Sequence, residues 1–190
     1  MRTSIIITVL AVLFALPAKA QQDYYFTLNY SMAAGLGDQS DFIGKYSWRG
    51  VSIEPIWMLN SQVGVGAYFG WNVFYEKLSG TFNNDTQTLT GTQARYINAF
   101  PMMLEGRYHL GEPYGIRPYV GLGVGAFRNR QRTEMGLFAI ENNTWHFGIS
   151  PNAGVLIPVG YQDTAIHLGL RYNKPFNNND APFEYSWLGI

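Results

Sequence analysis

The chain contains no cysteine. That absence excludes disulfides, thiolate metal sites and the lipidated cysteine of a lipoprotein anchor. Charge is scarce as well: acidic and basic residues make up 14% of the 190 residues, against about 25% in an average soluble domain. No uninterrupted apolar run reaches the roughly 18 residues a spanning helix needs. Nor is there a basic excess, with 13 Lys and Arg against 13 Asp and Glu. A chain with no positive field has nothing to draw it to nucleic acid, and none is expected as a partner. What is abundant is glycine, at 21 residues, and aromatic side chains, at 16%.

The N-terminus has the form of a secretory signal. Arg2 supplies the positive start, Ile5 to Leu16 is apolar apart from Thr8, and Pro17 closes the run. Ala18-Lys19-Ala20 fits the small-residue cleavage pattern, so cleavage is expected after Ala20. Losing Arg2 and Lys19 leaves 11 basic against 13 acidic residues in a single domain over 21–190.

The stretch Val63 to Glu76 sets the design of that domain. Val63, Val65, Ala67, Phe69, Trp71, Val73 and Tyr75 form one apolar row; Gly64, Gly66, Tyr68, Gly70, Asn72, Phe74 and Glu76 form the other. Strict alternation is the period of a strand. At about 3.3 Å per residue the run spans roughly 45 Å, longer than ordinary strands and long enough to cross a bilayer at a tilt.

The same pattern recurs. Strands are expected at about Tyr24–Ala33, Ser47–Leu59, Gln93–Leu110, Arg117–Arg128, Thr144–Ile157 and Thr164–Asn173, with an eighth starting at Glu184. The connections alternate. Polar segments at about 34–46, 77–92, 129–143 and 174–183 are long; those at 60–62, 111–115 and 158–163 are short. Long connections on one side and short turns on the other predict an all-β, eight-stranded antiparallel up-and-down transmembrane β-barrel. A soluble barrel would bury the apolar rows instead of showing them to lipid. Aromatic residues at the row ends favour lipid: Tyr24, Trp57 and Tyr108 at the short-turn side, and Trp71, Tyr75, Tyr96, Trp145 and Tyr172 at the long-loop side. Pro55, Pro101 and Pro151 fall inside strands, where each lacks a ladder donor, so bulges are expected there.

An eight-stranded barrel is just wide enough for side chains to fill. Inward ions therefore need partners, and Glu54, Glu105, Arg107, His167 and Arg171 are the candidates for an interior polar network. Counting from the short turns places the first four at similar heights and Arg171 nearer the outer end. Two Glu and two Arg sum to zero, which suits a structural filling. Arg128, Arg130 and Arg132 open the third long connection and are candidates for contact with lipopolysaccharide phosphates. His146 and Ser150 share one strand face with the parity of the interior, but stand about 13 Å apart on an extended strand. That is too far for a nucleophile and its base. His109, His146 and His167 lie on separate strands without metal-ligand spacing. No catalytic residue, metal or cofactor is expected.

The segments GVGAYFGWNVFYEK (64–77), TQARYINAFPMM (92–103), RPYVGLGVGAF (117–127) and TWHFGISPNAGVL (144–156) resemble the outer-membrane β-barrel family of OmpA-like, OmpX-like and OmpW-like proteins. The resemblance implies a monomer in the outer membrane of a Gram-negative bacterium, with outer-membrane lipid, lipopolysaccharide and the barrel-assembly machinery as partners. It implies a non-enzymatic role in envelope structure or in recognition through four long external loops. The alternative, as in OmpW-like proteins, is binding or passage of small hydrophobic molecules, with inward Ile56, Met58, Phe74 and Phe127 as its lining. A lipid-modifying enzyme is the third reading. Members usually end in a full strand with a terminal aromatic residue; here strand eight runs about seven residues to Ile190. Truncation of that strand, or incomplete closure, is therefore expected.

Overall fold

A computed structural model describes residues 24–84, 87–112, 115–159, 164–177 and 183–190, with the side chains of 81–84 and 87–90 outside the description. The signal segment and its cleavage site lie outside the described residues, as do parts of the turns at 111–115 and 158–163 and of the last long connection. The strands are β1 (Tyr24–Tyr30), β2 (Ala33–Gly35), β3 (Gly50–Met58), β4 (Val63–Asn84), β5 (Gln87–His109), β6 (Arg117–Met135), β7 (Phe138–Pro158), β8 (Ala165–Pro175) and β9 (Trp187–Gly189), with one helix, α1 (Asp38–Phe42). They form one antiparallel sheet in the order β1-β3-β4-β5-β6-β7-β8-β9-β2.

The first strand of the barrel is broken at Ser31–Met32. Its inner part, β1, pairs with β3, while its outer part, β2, pairs with β9 through Ala33↔Gly189 and Gly35↔Trp187. Met32 and Ile190 exchange backbone hydrogen bonds at 2.9 and 2.8 Å, and Ala33 also bridges to Ser47. The sheet therefore curls until its two ends meet at the long-connection side. Below that seam, among the described residues, β1 and the inner half of β8 carry no ladder to one another.

The apolar rows face outward. Phe26, Leu28, Phe69, Leu104, Val120, Leu122, Phe147, Leu168 and Leu170 are exposed, whereas Glu54, Asn72, Glu105, Arg107, Asn129, Ser150 and Asn173 are buried. A soluble barrel would show the reverse, so the wall is built for lipid. Tyr24, Trp57 and Tyr108 ring the inner end, and Trp71 and Trp145 the outer end. Tyr75 and Tyr96 pair across β4 and β5 with ring centroids 4.7 Å apart, and Tyr172 stands opposite Leu188 on β9.

Three expectations are corrected. First, the second and third long connections are strand, not loop. β4 to β7 run 22, 23, 19 and 21 residues, about twice the 9–11 that cross a bilayer. The pairing of β6 with β7 continues to Met135↔Phe138, leaving Gly136 and Leu137 as the whole turn. Outside the membrane both faces meet water, so apolar alternation stops while the ladder does not. Second, the first connection folds inward as α1. Third, the strand prolines need no bulge. The β3–β4 ladder breaks off at Ile53↔Phe69 and resumes at Ile56↔Gly66 in unchanged register. The β4–β5 ladder does the same around Pro101, and β7–β8 around Pro151. Each missing donor costs a local gap in one ladder, while the other side of the same strand pairs continuously.

Close packing of β5 on β6 depends on an inward glycine. A Cβ at Gly125 would strike the Met102 carbonyl oxygen and come within 2.8 Å of the Met103 Cα. Backbone cannot yield there as a flexible side chain would. Gly125→Ala is expected to lower the urea midpoint of refolded protein by the equivalent of about 3 kcal/mol, the upper end for overpacking. An unchanged midpoint would show that the two strands can part without loss.

Candidate functional site

The interior is layered. In its inner half four ions converge. Arg107 Nη2 donates to Glu54 Oε2, and Arg107 Nε donates to Glu105 Oε1 at 2.5 Å. Arg171 Nη2 donates to Glu105 Oε2 at 2.8 Å and stands 3.7 Å from Glu54. All four are buried. Each guanidinium also lies over an aromatic face: Arg107 over Tyr119 at 4.5 Å and Arg171 over Tyr68 at 3.7 Å. Arg171 is thus level with the others and not nearer the outer end. The stagger of the tilted strands accounts for this: Arg171 faces Asn152, Asn152 faces Gly121, and Gly121 faces Arg107 across successive ladders.

His167 joins through neutral groups. Its Nδ1 lies 2.8 Å from Asn29 Oδ1 and its Nε2 2.6 Å from Tyr119 Oη. An amide oxygen only accepts, so Nδ1 carries the hydrogen, and Nε2 of the neutral ring accepts a hydrogen bond from the Tyr119 hydroxyl. Asn29 Nδ2 then donates to Glu54 Oε1 at 3.0 Å. Ser150 is fixed on the other flank, accepting from Arg171 and donating to Asn173 Oδ1 at 3.0 Å. Asn29, Tyr68, Tyr119 and Ser150 belong to this arrangement, and sequence reasoning did not single them out for it. Their inward parity is the signal that could have found them.

The outer half holds an apolar cluster, with Asn129, Thr144 and His146 buried beside it. Phe74, Ile97, Ala99, Phe127, Tyr185 and Trp187 are buried in one cluster with Ile43. Trp187 stands edge-on to Phe74 and Phe127, with ring centroids 6.1 and 5.5 Å away. The helix α1 caps this cluster. Gly37, at φ 53, turns the chain into it. A five-residue helix is not stable alone; burial of Ile43 and packing of Phe42 against the cluster hold it. At the rim Arg95 Nη1 donates to the Phe42 carbonyl at 2.9 Å with its guanidinium 4.7 Å from the Phe42 ring, and Gly44 N donates to Glu76 Oε2 at 2.9 Å.

Of the suggested apolar lining, Phe74 and Phe127 belong to this plug, and Ile56 and Met58 lie against Gly64. A pocket of about 500 Å³ does open between β1 and β8, where Tyr30, Met32, Tyr68, Tyr119, Leu168 and Leu170 line it together with the polar Asn29, Glu54, Asn152, His167 and Arg171. His146 Nδ1 donates to the Phe176 carbonyl at 3.0 Å, and its Nε2 lies 2.8 Å from Thr144 Oγ1. It and Ser150 have separate partners and form no dyad. His109 contacts Tyr25, at 3.0 Å, and the Tyr119 ring.

Above the membrane, β4 to β7 stand as a four-stranded sheet. Arg128, Arg130 and Arg132 lie on the outward face of β6, directly above Val120, Leu122 and Val124. Arg130 forms a two-pronged pair with Glu141 at 2.7 and 2.9 Å, which holds the Glu141 carboxyl below its ordinary range. Arg132 pairs with Glu134 at 2.6 Å, and Arg128 donates to Asn143 at 3.3 Å while standing 5.8 Å over Trp145. Leu137, Phe138 and Ile140 at the tip of the β6–β7 hairpin are exposed.

Over residues 6–184 the sequence matches the family described as outer membrane protein beta-barrel domain. Comparison with curated proteins gives no match. Among solved structures, the chain is similar to Ail, the attachment invasion locus protein of Yersinia pestis, crystallised with the heparin analogue sucrose octasulfate. The TM-score is 0.55 at 11% identity, over 89% of this chain and 94% of Ail. At that identity the likeness is one of fold. With lipid-facing apolar rows, an ion cluster inside the wall and a family match over nearly its whole length, the chain belongs to the outer-membrane β-barrel proteins.

Proposed function

We propose that this barrel works as a non-enzymatic recognition protein, presenting the β4–β7 sheet at the cell surface. The observation that carries the reading is the length of those four strands. About half of each lies beyond what a bilayer needs, and exposed apolar side chains sit at the β6–β7 tip. The described barrel offers no comparable investment elsewhere. Its ions are spent on one another, and its outer mouth is closed by α1. Two hairpins thus replace the four external loops as the contact surface. The fold shared with an attachment protein supports the same reading.

The test compares cells displaying the full chain with cells displaying a trimmed one. The hairpins are cut beyond Lys77↔Ala94 and Gln131↔Asn142 and rejoined by Asn-Gly turns, which keeps the rim contacts of Arg95 and Glu76. Retention on matrix-coated or heparin-coated surfaces is expected to fall at least tenfold, with heat-modifiable gel mobility unchanged. Equal retention by the trimmed barrel would overturn the assignment.

A further inference from the structure

The polarity of the wall inverts beyond the rim. Within the membrane the outward rows of β6 and β7 carry apolar side chains, among them Val120, Leu122, Val124 and Phe147. Above it the outward rows carry Arg128, Arg130, Arg132, Glu134 and Glu141, while the inward rows end in Met135, Phe138 and Ile140. The ladder runs unbroken through Thr133↔Ile140 to Met135↔Phe138, so no bulge has exchanged the two faces. Gly136, at φ 59, and Leu137 make the turn. Leu137 is 102% exposed, and Phe138 and Ile140 are each 75% exposed. The plug meets β6 below them, where Tyr185 Oη donates to Gln131 Oε1 at 3.1 Å.

Met135, Leu137, Phe138 and Ile140 thus make a convex apolar knob at the end of one hairpin. A stable protein complex needs about 800 Å² from each partner, and four side chains fall short of that. A bilayer sets no such minimum, because each apolar group gains on leaving water. The flank of the knob carries two ion pairs, Arg130 with Glu141 and Arg132 with Glu134. Their charges cancel, so no field selects anionic lipid. Nor is the knob aimed at the lipid around its own barrel. Its apolar side faces the space above the mouth, and the paired strand from Trp145 at the rim to the turn is about 26 Å long at the usual rise.

We propose that the β6–β7 tip inserts into the interface of an apposed zwitterionic phospholipid bilayer, with Leu137 leading and Phe138 and Ile140 as anchors. Such a role rests on the reading of the β4–β7 sheet as a contact surface, and it names the target of one part of that surface. Insertion is shallow. The two-residue turn has backbone groups that need water or headgroups as partners, so the tip stops at the boundary between headgroups and acyl chains, about 5–10 Å deep. Arg132 and Glu134 stay paired in the headgroup layer. Adhesion by the tip is therefore insensitive to lipid charge and to the basic residues of β6.

A chain without cysteine accepts a single reporter. Ala139→Cys, on the face opposite Phe138, is labelled with an environment-sensitive dye, and the full chain is held in nanodiscs. The probes are vesicles of phosphatidylcholine, the same mixed with phosphatidylglycerol, and vesicles brominated either near the headgroup or deep in the chains. Phosphatidylcholine vesicles are expected to shift the emission to the blue, with shallow bromine quenching more strongly than deep bromine. Phosphatidylglycerol should change the vesicle concentration for half response by less than twofold. Phe138→Ser with Ile140→Ser should raise that concentration at least tenfold, and Arg132→Gln should leave it in place. Each variant is checked for heat-modifiable mobility, so that loss of response is not loss of the barrel. On matrix-coated surfaces the double variant should be retained like the parent, which separates the tip from the rest of the sheet. No shift with phosphatidylcholine, a shift that requires phosphatidylglycerol, or an unaffected double variant would overturn the assignment, while recognition by the sheet is still judged by the trimmed hairpins. A double variant that loses matrix retention, in a parent blind to vesicles, would make the tip a protein contact instead.

Discussion

Arg107→Met should lower stability by about 3–5 kcal/mol, the range for removing one partner of a buried ion pair. The residue stands between Glu54 and Glu105, and its loss leaves only Arg171 for two buried carboxylates. The guanidinium also leaves the Tyr119 face. The measurement is urea unfolding of the protein refolded into vesicles, followed by gel mobility and fluorescence. Arg107→Met combined with Glu54→Gln should recover much of the loss, because one Arg and one Glu remain and no carboxylate is stranded. If the single variant unfolds with the parent, the cluster does not hold the barrel together. If the double variant is worse than the single, the electrostatic explanation fails and packing of the arginine stem takes its place.

Trp187→Ala should have an effect of the same order, about 3–5 kcal/mol, by a different route. Trp187 is fully buried between Phe74 and Phe127, and it lies on β9 where the sheet closes against Gly35. Truncation leaves a cavity beneath α1 and loosens the seam together. Protease cleavage within 36–46 should therefore rise along with the fall in the urea midpoint. Trp187→Phe keeps most of the apolar volume and should lose far less. A cavity without added cleavage would separate the plug from the cap. The ion cluster below is untouched by this change, so conductance in planar bilayers should stay at the parent's level.

The sequence and the structure agree where one rule governs both. Period-two alternation located the strands that cross the membrane, because lipid on one side and packed polar groups on the other impose that pattern at every step. The same parity placed Glu54, Glu105 and Arg107 inside. It could not level Arg171 with them, since height depends on strand stagger, a property of the closed sheet and not of any one strand. The strand extensions past Glu76 and Thr144 were hidden for the opposite reason: with water on both faces, composition no longer distinguishes a ladder from a loop. α1 is too short for a helical period to register, and its burial comes from partners on β5 and β9 far away in the chain. The prolines pointed to bulges because a lost donor suggests an extra residue; skipping a ladder step proved sufficient.

The seam has a kinetic consequence. Ala33 and Gly189, which close it, are about 150 residues apart in the chain, and contacts of such separation form late because their loop-closure entropy comes first. The cap docks against Trp187 of that seam, so its own burial must wait for the two ends of the sheet to meet. A partly assembled barrel would still leave Gln39 and Ile43 open to water, while a finished one hides both completely. The cap is in this sense a clock hand: its protection marks the moment at which assembly is complete.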